Sequence, residues 1–147
     1  SPTACTKLKT EPRLTSRFRL IAAETTSENP RMDEVQVQLF TSRRDRRAFV
    51  QFPHTVFAQD PAWIAPLNFE RSQHISTSHN PFFEHGRARL FLATRNGETV
   101  GRISAQVDDL RLARYRDATG MFGFLDGIDD PQVFSALFET AENWLKA

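Results

Sequence analysis

Asn96-Gly97 lies between two apolar-rich runs, and it restricts the fold more than any other pair in the chain. Both residues tolerate a positive φ, which suits the tight turn of a two-residue β-hairpin. Before it, Ala88, Leu90 and Leu92 alternate with Arg89, Phe91 and Ala93; after it comes the apolar run from Val100 to Val107. The pattern predicts an antiparallel hairpin of Arg87–Thr94 with Glu98–Val107. A further apolar strand, Gly120–Leu125, is expected to join the same sheet.

Other elements follow from period and punctuation. Val35, Val37 and Leu39 alternate with Gln36 and Gln38, the period of a half-buried strand. Ser42 with Asp45 three residues on resembles a capping box, with Asp in place of the usual Glu. It opens a helix carrying Phe49, Phe52 and Val56 on one face, and Pro53 is expected to kink that helix or end it early. A loop over Gln59–Pro66 leads to a second helix near Pro66–Ile75. A second loop ends at Pro81, and Phe82 and Phe83 anchor the chain. Asp108–Asp117 reads as a charged connector. Asp126–Asp130 reads as a turn into a last helix, with Asp130 as its cap and Pro131 at its first position. Val133, Phe134, Leu137, Phe138, Ala141, Trp144 and Leu145 give that helix a broad apolar stripe.

Residues 1–33 are rich in Ser, Thr, Lys, Arg and Pro, and they read as a solvated tail ahead of an ordered part over 34–147. Lys plus Arg total 19 against 18 Asp plus Glu, so net charge supplies no drive toward nucleic acid or membrane. No apolar run reaches the roughly 18 to 20 residues needed to span a bilayer. The single cysteine, Cys5, cannot make an internal disulfide or a metal site, which points to a reducing, cytoplasmic setting. His54, His74 and His79 are too scattered for a ligand set, so no metal is expected. Arg43, Arg44, Arg46 and Arg47 crowd a helix start, where the dipole disfavours cations. They form either an anion patch or a solvated helix end, and the absence of an aromatic or glycine pattern favours the second. Glu84-His85 and Tyr115 are candidate acid–base groups, each with a plainer surface role.

The order strand, helix, helix, strand, strand, strand, helix resembles the first two-thirds of the Gcn5-related N-acetyltransferase fold. Local strings are similar to an uncharacterised bacterial acetyltransferase-like subgroup of that superfamily. They include Asp60-Pro61-Ala62-Trp63-Ile64-Ala65-Pro66-Leu67, Asn80-Pro81-Phe82-Phe83-Glu84-His85 and Ile128-Asp129-Asp130-Pro131. The resemblance covers about Val35 to Ala147. It implies an α/β (α+β) fold with a mixed acyl-CoA N-acyltransferase-like sheet that stops before its fifth strand. The chain is then expected to be the N-terminal part of an acyltransferase, inactive alone, with a partly bare last helix that favours self-association into a homo-oligomer.

The same resemblance implies acetyl-CoA or another acyl-CoA as donor and an amine as acceptor. Phe124, Leu125, Gly127, Ile128, Gln132 and Val133 would line the donor, and Asp126 would be the general base, beside its plainer reading as a turn residue before Gly127. The family's diphosphate turn runs Gln or Arg, two residues, Gly, one residue, then Gly or Ala. After Gln132 the two small-residue positions are Ser135 and Leu137, and Asp129 with Asp130 would repel a diphosphate. These departures motivate an alternative, a non-catalytic binding module that keeps the fold without the usual CoA grip.

Overall fold

The computed structural model describes residues 33–147. The solvated tail expected over 1–33, Cys5 included, lies outside the described residues except for Asp33. The predicted hairpin is present. Strand β2 (Gly86–Arg95) pairs antiparallel with β3 (Glu98–Asp108), with Arg95 opposite Glu98 across the turn. Asn96 and Gly97 take φ of 53° and 78°, as the tight turn demands. Strand β1 (Gln36–Leu39) pairs with β2, and β4 (Met121–Gly127) with β3. The result is a four-stranded antiparallel sheet in the order β1-β2-β3-β4 within a mixed α/β unit.

Helix α1 (Arg43–Val56) begins at the expected capping box: Asp45 N–H donates to Ser42 Oγ at 3.1 Å, and Ser42 N–H donates to Asp45 Oδ2 at 2.9 Å. Pro53 does not end α1 early; the helix continues to Val56, and Phe57 N–H reaches the Pro53 carbonyl at 2.9 Å. A proline lacks the N–H that would serve the carbonyl four residues back. That carbonyl belongs to Phe49, and it accepts instead from Arg102 Nη1 on β3 at 2.7 Å. A tertiary bond thus replaces the helical bond that the proline removes.

Helix α2 (Asn68–His74) is shorter than the segment Pro66–Ile75 suggested, and its cap Leu67 supplies no side-chain bond. Phe82 and Phe83 lie in a 3-10 turn, Pro81–Glu84, capped by Asn80. The expected charged connector contains a short helix, α3 (Asp109–Tyr115). Asp108 caps it by accepting from the Leu110 and Arg111 N–H groups, and Arg116 ends it at φ 51°. Helix α4 (Pro131–Lys146) starts at Asp130 as expected.

The helices cover both faces of the sheet. Val133, Leu137 and Ala141 of α4 pack on Phe91, Ala93, Ile103 and Ala105. On the opposite face Phe49 and Val50 of α1 meet Ile75 and Leu92, with Phe40, Leu90 and Phe124 around them. Gly101 lets α4 approach: a Cβ there would fall 2.8 Å from Val133 and 2.9 Å from Leu137.

Candidate functional site

The feature that shapes the site is a bulge in β4. Arg102 faces Asp126 and Ser104 faces Gly123, so Ile103 stands opposite two residues, Phe124 and Leu125. Phe124 takes a left-handed φ of 49°, uncommon for a bulky residue. The extra residue carries β4 on to Gly127. Asp126 and Gly127, read from the sequence as a turn, are therefore strand residues.

Arg102, Ser104 and Gln106 recur every second residue of β3 and form a polar row beneath α1 and α2. Arg102 Nε and Nη2 both reach Asp126 Oδ2, at 2.8 and 2.7 Å, and the two side chains are only 10% and 18% exposed. The Phe49 and Phe124 rings sit 5.0 and 5.5 Å from the guanidinium carbon. Burial pulls Arg102 below its ordinary pKa, opposed by its bond to Asp126 and the attraction of that charge; arginine stays protonated regardless. Beside this pair, Ser104 Oγ bonds Gln106 Oε1 at 2.9 Å.

A cavity of about 190 Å³ opens over Ser104 and Gln106. Ile75, Phe82, Phe83 and Phe124 form much of its apolar wall, and His74 and Asn80 stand at its polar side. A Cβ at Gly123 would stand 3.3 Å from Ser104 Oγ. His74 is the one titratable group in the lining, its ring edge-on to Phe124 at 5.7 Å between centroids. The other three histidines have polar partners: His54 bonds Asn68, His79 bonds Ser76 and Ser78, and His85 bonds Asp108. Among the described residues the His74 ring has none. No sequence pattern marked His74, Ser104 or Gln106, because their convergence depends on strand register and on the bulge.

The expected site residues separate in space. Phe124 lines the cavity. Leu125 and Ile128 pack into the α4 core, where Val133 is wholly buried. Gly127 lies beneath Phe134 and Val133. Asp126 is bound to Arg102 and is absent from the cavity wall. Gln132 is exposed, and its N–H is occupied by Asp130 Oδ1 at 2.9 Å.

The start of α4 does not fit a diphosphate. Pro131 has no N–H, Gln132 N–H is held by Asp130, and Val133 N–H bonds the Asp130 carbonyl at 3.1 Å. A helix start binds phosphate through free N–H groups, and here the Gln132 and Val133 N–H groups are already taken by Asp130. The expected repulsion is smaller than two bare carboxylates would give. Arg95 Nη2 lies 2.7 Å from Asp130 Oδ2, and that bond, then the Gln132 N–H, holds Asp130 below the usual carboxylate range.

His85 and Asp108 form a second polar pair, at 3.1 Å. Burial alone would raise the Asp108 pKa, but bonds from the Arg111 N–H, His85 and the Leu110 N–H outweigh it and lower the carboxylate. Asp108 also caps α3, so the pair ties the start of β2 to the end of β3. Among the described residues no cluster of His, Cys, Asp or Glu could hold a metal, and no helix is long and apolar enough to cross a membrane.

The chain is 47% identical over 111 residues to Protein YghO of Escherichia coli (strain K12), a match covering 76% of this chain and 28% of that protein. It is 46% identical over 102 residues to Bacterial ceramide synthase of Caulobacter vibrioides (strain NA1000 / CB15N), covering 69% of this chain and 27% of that protein. The matched region thus spans little more than a quarter of the length of these curated relatives. No family model matches the chain, and no solved structure does.

Proposed function

We propose that this chain is the β1–β4 part of a Gcn5-related N-acyltransferase-like domain, and that its cavity receives the amine of a long-chain amino alcohol. The observation that carries the reading is the cavity beside the β4 bulge, with a histidine at its edge. An apolar wall with a few convergent polar groups suits an amphiphilic acceptor. Ceramide is an amide of a fatty acid with a long-chain amino alcohol, so the name of the Caulobacter relative supports the same substrate class.

Amide formation requires the attacking nitrogen to lose a proton. His74 is our candidate base, because Asp126 is tied to Arg102. Gln106 orients the acceptor: Ser104 occupies its Oε1, which leaves Nε2 to donate into the cavity. An acyl thioester, with acyl-CoA as the first choice, is the donor class. Because α4 offers its diphosphate no seat, no role is assigned to α4 in donor binding.

The test is acyl transfer by the complete gene product, supplied with acyl-CoAs of two to eighteen carbons and a long-chain amino alcohol, with the amide detected by mass spectrometry. His74→Gln is expected to lower kcat by about 10²- to 10⁴-fold, the usual contribution of a general base, with little change in KM. No amide with any donor would sink the reading.

The satisfied start of α4 favours a second reading, a binding module without acyl transfer. Calorimetry separates the two: the module predicts heat with the amino alcohol and none with acyl-CoA.

A further inference from the structure

The first turn of α1 concentrates positive charge in a chain whose net charge is only +1. Arg43, Arg44, Arg46 and Arg47 form no salt bridge among the described residues. Asp45 stands in their midst, but its carboxylate accepts the Thr41 and Ser42 N–H groups at 3.0 and 2.9 Å. Cations at a helix start oppose the dipole, so this placement costs α1 stability, offset in part by the Asp45 carboxylate in the same turn.

Three of these arginines converge. Arg43, Arg46 and Arg47 line a recess of about 180 Å³ between α1 and α2, with Gln51, Asn68 and Ser72 as its neutral polar members. Guanidinium groups bind phosphate oxygens in a two-pronged manner, and the neutral side chains can donate to the same oxygens. Asn68 is flanked in sequence by Leu67 and Phe69, which are 65% and 71% exposed. A basic recess beside protruding apolar side chains is the combination that an anionic lipid–water interface accepts.

We propose that the α1–α2 edge docks on an anionic phospholipid bilayer, with a lipid phosphate in the Arg43–Arg46–Arg47 recess and Leu67 and Phe69 at the acyl boundary. The contact is peripheral, made by side chains on one edge of the unit. It requires no spanning helix and does not depend on the acyltransferase reading.

The experiment is co-sedimentation of the complete gene product with phosphatidylglycerol–phosphatidylcholine vesicles and with phosphatidylcholine alone. Binding is expected on the anionic vesicles and is expected to fall as salt rises. Arg43→Gln with Arg46→Gln and Arg47→Gln should weaken it by about a hundredfold at low ionic strength, from the loss of three cations near the surface. The matching triple substitution to Lys should retain most of the binding. Leu67→Ser with Phe69→Ser, at unchanged circular dichroism, should weaken binding even in low salt. Equal binding to both vesicle types, or full binding by the Gln triple variant, overturns the proposal. So does saturation of the recess by inorganic phosphate in a protein that ignores vesicles.

Discussion

Removing the Asp126 carboxylate tests whether this residue is a structural partner of Arg102 or a proton acceptor. Asp126→Ala leaves the Arg102 guanidinium between two aromatic rings with one remaining partner, the Phe49 carbonyl. Two unit charges about 4 Å apart interact by about 4 kcal/mol at an effective dielectric of 20. Breaking a buried pair by deleting one member costs about 3–5 kcal/mol. Residual exposure of 10% and 18%, together with the surviving carbonyl bond, brings the expected loss to about 2–4 kcal/mol. Asp126→Asn keeps an acceptor oxygen without the charge and should cost roughly half as much. Arg102→Met with Asp126→Leu removes both charges and restores apolar contact, so it should fall within about 1 kcal/mol of the starting protein. Urea unfolding followed by the fluorescence of Trp63 and Trp144 reads all three. With m of about 1–2 kcal/mol/M, Asp126→Ala lowers the midpoint by about 1–4 M. An Asp126→Ala midpoint unchanged within error refutes the reasoning. So does a double variant as unstable as the single one. Loss of acyl transfer at unchanged stability would return Asp126 to the role of base.

Two other perturbations test the frame. Asp130 is held below the ordinary carboxylate range by Arg95 and then by the Gln132 N–H. Its stabilising effect is therefore complete above the unfolded value near pH 3.9 and is lost as pH falls through the lower folded value. Urea midpoints from pH 6 to pH 2 should drop at the acid end, and Asp130→Asn should make that drop shallower; an identical slope contradicts the pairing with Arg95. Gly101→Ala pushes a methyl group against Val133 and Leu137 and should cost about 1–3 kcal/mol by overpacking. A urea midpoint at or above that of the parent would mean that α4 can retreat without loss.

What the sequence made legible was local and periodic. The Asn96-Gly97 turn, the Ser42–Asp45 capping box and the Asp130-Pro131 helix start each depend on residues within a few positions of one another, and all three are present. The extent of β4 was misread because a bulge has no composition of its own: Phe124 in a left-handed conformation is the last residue that propensity would choose there. Helix α3 was missed because its Leu110 is 60% exposed, so no apolar stripe announces it. The site was the least legible part. His74, Ser104, Gln106 and Phe124 come from α2, β3 and β4, and only the register between Ser104 and Gly123 brings them together. Asp126 was read as a general base or a turn residue, and it is a strand residue paired with Arg102. Its partner Arg102 lies 24 residues away, and nothing between them marks the pair.

Two irregularities, each costly alone, are joined through one side chain. Pro53 leaves the Phe49 carbonyl without its helical donor, and an unmet buried carbonyl costs about 1–3 kcal/mol. The β4 bulge forces Phe124 into a conformation that costs a non-glycine residue about 1–2 kcal/mol. Arg102 answers both, since Nη1 supplies the missing donor in α1 while Nε and Nη2 hold Asp126, two residues past Phe124, in register across the bulge. The Phe49 and Phe124 rings meet edge to face at 5.8 Å and close the arrangement. Helix α1 and the bulged strand are therefore coupled through a rigid, buried group. Phe124, in contact with Phe49 of α1, also lines the cavity and meets the His74 ring edge-on.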